Sequence, residues 1–80
     1  MTAPPRVKLT FPEALITEPV IARVVRNFDV LPNIRRASVE DGMGWIICEL
    51  DGPHDAVEDA IRWLDELGVH VDRLGDVLES

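Results

Sequence analysis

Cysteine, aromatic residues, serine and long apolar runs are what this chain has least of. Cys48 stands alone, which excludes an internal disulfide framework and the paired thiols of a zinc ribbon or redox motif, and predicts a cytoplasmic protein. No apolar run approaches the roughly 20 residues of a bilayer crossing, and the opening MTAPPRVKLT lacks the apolar segment of a signal peptide. No membrane span is expected. Serine occurs only as Ser38 and Ser80, neither within a Gly-x-Ser-x-Gly turn, and there is no phosphate-cradling glycine loop with its lysine. His54 and His70 lack a Cys or His neighbour at metal-ligand spacing, so no metal is expected. No nucleophile and base can be assembled from these few residues, so the chain reads as non-catalytic and free of cofactors.

Basic residues are also outnumbered. Of a net charge of -7, all the excess lies late: residues 1–50 hold six acids and six basic residues, residues 51–80 nine acids against Arg62 and Arg73. Such a field repels phosphate backbones, so no nucleic acid partner is expected. Eighty residues make one domain, and domains near this size bury only about 60% of the surface of the unfolded chain. Association with a second copy is the natural source of further stability.

What is present is a clear alternation of periods. RVKLTF places Val7, Leu9 and Phe11 on one side of a strand from Arg6, with Lys8 and Thr10 opposite. A helix follows the loop Pro12 to Thr17, capped by Thr17 or Glu18, with Pro19 in its first turn and Ile21, Val24, Val25 and Phe28 at helical spacing. Pro32 and Asn33 break the pattern before a second strand, roughly Ile34 to Glu40, whose simple alternation from Ala37 and Val39 would bury Arg35. Asp41-Gly42-Met43-Gly44 predicts a hairpin, and Trp45 to Leu50 a third strand with Ile46, Cys48 and Leu50 inward. A second helix runs from Pro53 or Asp55 to Leu67, burying Val57, Ala60, Ile61 and Leu64, and Gly68 suits a left-handed stop. A last strand, Val69 to Arg73, closes the chain, leaving residues 1–5 and 76–80 as tails around a domain over 6–75.

Strand, helix, strand, strand, helix, strand is the order of an α+β ferredoxin-like βαββαβ sandwich: a four-stranded antiparallel sheet, order 4-1-3-2, with two helices on one face. The other face is bare. By parity it displays Lys8, Thr10, Trp45, Ile47, His70 and Asp72, with Ile34 at an edge. An exposed Trp beside an Ile predicts an interface of Trp45, Ile47 and Ile34, unless a shift of register returns Trp45 to the core. One aromatic without the flanking basic and glycine signature does not make an RNA reader. The arginine with which acyl-phosphate hydrolases of this fold hold their anion has no counterpart in Pro12 to Thr17.

The run PNIRRASVEDGMGWIICELDGPHDAVEDAIRWLDELGVHVDRL, with the opening Val7 to Phe11, the Gly44-Trp45-Ile46 step, the Leu50-x-Gly52 stop and the closing Gly68-Val69-x-Val71, resembles the NIL domain. That module occurs mainly at the C-terminus of the ATPase subunit of bacterial methionine transporters, and also as a free-standing protein. Its motif, Asn-Ile-Leu, stands here as Asn33, Ile34 and Arg35. The resemblance implies a regulatory module that associates through its sheet as a dimer or higher homo-oligomer and senses L-methionine or a related sulfur amino acid. It also implies a ligand site of Asn33, Ile34, Arg35, Met43 and Trp45. A side-chain amide offers a donor and an acceptor to an amino acid's charged groups, although a Pro-Asn amide can equally bond its own backbone. The alternative is an accessory subunit that docks a sulfur-metabolism enzyme through the bare sheet or its edge.

Overall fold

The computed structural model describes residues 4–74, so residues 75–80, with the expected C-terminal tail, lie outside the described residues, as do residues 1–3. Its elements are β1 (Arg6–Phe11), α1 (Glu13–Ile16), α2 (Val20–Asn27), β2 (Leu31–Glu40), β3 (Met43–Asp51), α3 (His54–Leu67) and β4 (His70–Arg73). All neighbouring strands are antiparallel, in the order β2-β3-β1-β4. This is the α+β ferredoxin-like arrangement that the period changes predict.

The central pair sets the two faces. Val7 lies opposite Cys48 and Leu9 opposite Ile46, so the apolar parity of β1 coincides with that of β3. Val7, Leu9, Cys48 and Leu50 are buried against Val20, Val24, Val57, Ala60 and Leu64 from the helices. Gly68, at φ 113, ends α3 in the left-handed region, and the Val69 amide then bonds the Leu64 carbonyl. Phe28 packs on Trp63 with ring centroids 5.7 Å apart, joining the end of α2 to α3. Arg73 grips Glu58 through two bonds of 2.8 and 3.0 Å, which ties β4 to α3 at the rim.

Three local features differ from expectation. The stretch expected as a loop contains one helical turn, α1, which Pro12 starts by accepting the Leu15 amide and which packs Leu15 and Ile16 on the core. Neither Thr17 nor Glu18 caps α2: Pro19 holds that position, and Glu18 instead meets Arg23 at 3.2 Å. With only eight residues α2 buries a narrow stripe, Val20 and Val24, and leaves Val25 exposed. Lastly, β2 begins at Leu31, so Pro32 and Asn33 lie within it. Proline is tolerated there because β2 is an edge strand.

The Asp29 backbone crosses close to the end of β3. A Cβ on Gly52 would collide with the Asp29 carbonyl and press on Val30. Gly52→Ala is therefore expected to cost about 1–3 kcal/mol, measured as a lowered urea midpoint at unchanged slope. An unchanged midpoint would mean that the crossing opens to admit a methyl group at no cost.

Candidate functional site

The helix-free face follows from the same register. Thr10 lies opposite Trp45, Lys8 opposite Ile47 and Arg6 opposite Glu49, while His70 and Asp72 continue the rows on β4. Trp45 is on this face and not in the core: the Lys8 ammonium stands 5.2 Å from its ring centroid. Met43 shares the parity of Trp45 and is half-exposed.

On β2 the pairing slips once. Ile34 faces Cys48 and Arg36 faces Ile47, so Arg35 is an extra residue, a bulge. The bulge resolves the conflict in the sequence pattern: Arg35 reaches Glu49 at 3.7 Å on the open face, and Arg36 joins it there. Both arginines thus leave the core side. The same slip moves Ile34 the other way. Expected on the bare face, it takes the parity of Cys48 and lies half-exposed beside the helices.

Asn33 and Arg35 therefore meet around Glu49, opposite which Asn33 is paired. The Glu49 carboxyl is held below the usual glutamate range, first by its 3.0 Å hydrogen bond from Arg6, then by the charge of Arg35, with a smaller contribution from the Asn33 amide. Sequence reasoning did not single out Arg6, Arg36 or Glu49. Two adjacent arginines in a strand of period two were the available signal, because both can face water only through a bulge.

The five expected ligand residues are not brought together in one protomer. Glu49 and Met43 are six residues apart along β3, so the polar end at Asn33 and the apolar end at Met43 are separated by roughly 20 Å. Ile47, flanked by Arg36 and Lys8, lies between. On the other side of the sheet, a groove of about 280 Å³ opens between α1, the start of α2 and the hairpin, lined by Phe11, Ile16, Pro19, Ala37, Val39 and Ile46 among others. It is apolar and offers no convergent polar group beyond Glu18 and Ser38.

Cys48 is buried, and desolvation together with the charge of Glu49 pushes its thiol up to about 11. It is a packed residue. Among the described residues no cluster of three His, Cys, Asp or Glu could hold a metal.

Glu49 provides a direct check on the polar end. Because its folded value is depressed, its contribution to stability is present at neutral pH and is lost as pH falls from the free-carboxylate range through that value. An NMR titration is expected to place its midpoint below that of glutamate in an unstructured peptide, and Arg6→Ala to raise it. A midpoint indifferent to Arg6 would remove the guanidinium as the cause.

Comparison with known proteins agrees with this architecture. The C-terminal domain of an ABC transporter ATP-binding protein from Enterococcus faecalis, known from a crystal structure, superposes with a TM-score of 0.81 at 23% identity, covering 94% of this chain and 88% of that one. That likeness is one of fold. No curated protein matches the chain. No described helix is long and apolar enough to cross a membrane. The NIL domain matches residues 5–73, nearly the full length, and the chain belongs to the NIL domain family.

Proposed function

We propose that this chain is a non-catalytic regulatory module that binds L-methionine or a related sulfur amino acid at an interface between two copies of itself. The observation that carries the reading is the polar end of the open face, where Asn33 lies opposite Glu49, Arg35 reaches it at 3.7 Å and Arg36 stands on the same face opposite Ile47. An amino acid needs opposite charges a few ångströms apart. Glu49 and the Asn33 carbonyl oxygen suit its ammonium, and the two guanidinium groups suit its carboxylate.

The side chain of the ligand needs an apolar wall. Within one protomer the nearest apolar group on that face is Ile47, and Trp45 and Met43 lie farther along β3. A second copy related by a two-fold axis can present its own apolar end to the polar end of the first, which makes the site a property of the pair. The structural neighbour in a transporter ATP-binding protein supports a regulatory role, here in a chain whose sequence lacks the ATPase motifs. The half-buried Trp45 and the exposed Met43 also suit the docking of an enzyme of sulfur metabolism, the reading that remains if no amino acid binds.

Calorimetric titration with L-methionine, cysteine and homocysteine is expected to give saturable binding of at least one of them, weakened roughly 10- to 100-fold by Asn33→Ala through loss of hydrogen bonds to charged groups. Silence toward all three at millimolar concentration would overturn the amino-acid reading.

A further inference from the structure

The long edge strand β2 is guarded along only half its length. Pro32 has no amide hydrogen to offer, and the bulge at Arg35 interrupts the flat edge, both of which discourage pairing with another strand. From Arg36 to Glu40 neither device operates. There the edge is regular and ends in a two-residue turn, Asp41 at φ 53 and Gly42 at φ 73, the primed geometry that closes a hairpin on the Glu40 and Met43 pair.

That closure fixes which backbone groups are free. Glu40 and Met43 exchange hydrogen bonds, and alternation along an antiparallel ladder then directs the amides and carbonyls of Ser38 and Arg36 toward β3. Those of Ala37 and Val39 point outward from the sheet. Arg36 and Glu40 stand on the open face, four residues apart, and among the described residues neither makes an ion pair within the protomer. Val39 is 69% exposed on the helix side, at the mouth of the apolar groove.

We infer that β2 pairs antiparallel with β2 of a second copy about a two-fold axis at Ser38, forming a continuous eight-stranded sheet. This rests on the dimer proposed above and specifies how the copies meet. The register is self-complementary in every layer. Ala37 and the partner's Val39 form a hydrogen-bonded pair, twice by symmetry, which uses the four outward backbone groups on each strand. Arg36 faces the partner's Glu40 and Glu40 the partner's Arg36, so the unpartnered charges neutralise each other across the join. On the helix side the partner's Val39 stands beside Ala37 and extends the wall of the groove.

The pairing also completes the divided site. The partner's Met43 is the neighbour of the partner's Glu40, which lies next to Arg36, so it comes within roughly 12 Å of Asn33, against roughly 20 Å within one protomer. A ligand held by Asn33, Arg35 and Arg36 then has the partner's hairpin tip as its second wall. The contact is small, because five residues a side fall short of a standard stable interface, so the dimer is weak and strengthened by ligand.

Charge reversal tests the register. By sedimentation equilibrium, Arg36→Glu and Glu40→Arg are each expected to raise the dimer dissociation constant at least about tenfold, since each creates two like-charge pairs, and the double variant to restore it. Ala37→Pro, which removes an outward amide hydrogen and leaves the ladder to β3 intact, is expected to give a folded monomer by circular dichroism. Failure of the double variant to restore association, or a dimer indifferent to both single reversals and to Ala37→Pro, would overturn the pairing. So would a wild-type chain that stays monomeric at millimolar concentration with and without methionine. Rescue in the double variant, together with a wild-type chain whose association ignores methionine, would uphold the edge register and overturn only the amino-acid reading.

Discussion

The register of β1 against β3 is the constraint on which everything else in the molecule depends. With Leu9 opposite Ile46 and Val7 opposite Cys48, two strands present one continuous apolar surface to the helices, and their remaining residues have no choice but to face away. A slip by one residue would turn one strand over, burying Lys8 and exposing Leu9 on β1, or burying Glu49 and exposing Cys48 on β3. Burial of an unpaired charge is far more costly than the loss of one packed side chain, so this register is strongly specified. The placement of Trp45 on the open face is thus a consequence of burying Cys48, three positions on. It is no local preference of the tryptophan, whose ring instead finds the Lys8 ammonium.

Among the described strands the bulge at Arg35 is where the alternation is broken, and it carries the polar chemistry. Without it, Arg35 and Arg36 would point to opposite faces and one guanidinium would press on the helices. With it, both stand on the open face, Arg35 within reach of Glu49 and Arg36 opposite Ile47, and Ile34 is moved to the helix side. A family motif that reads as three consecutive residues is therefore divided by the sheet: Asn33 and Arg35 on one face, Ile34 on the other. The polar end of the site is the product of one inserted residue.

Most of the architecture was legible in the residues because β1, β3 and α3 have strong and unambiguous periods. RVKLTF, WIICEL and the Val57, Ala60, Ile61, Leu64 spacing leave little freedom, and Gly68 stops α3 where expected. The elements that were less legible are those in which tertiary contacts override local pattern. α1 exists because Leu15 and Ile16 find the core, not because four residues favour a helix. β2 extends through Pro32 because an edge strand has no use for that amide hydrogen. The candidate site was half legible: Asn33, Arg35 and Trp45 were visible as residues, but the 20 Å between the two ends depends on strand length, and Glu49 and Arg6 became relevant only through cross-strand pairing.

The distribution of charge agrees with the edge pairing proposed for β2. The outer surface of α3 carries Asp55, Glu58, Asp59, Asp65 and Glu66 against Arg62, so two copies approaching through their helices would repel strongly. On the sheet face Arg6, Lys8, Arg35 and Arg36 offset Glu40, Glu49 and Asp72, and the molecule's net charge of -7 is locally cancelled. In the proposed β2 pairing the two acidic chains would meet along the edge of this balanced face and not through their helices, which keeps the electrostatic cost low. In that arrangement salt would screen the long-range repulsion between the helix faces more effectively than the close cross-strand pairs, so moderate ionic strength is expected to favour the proposed pair.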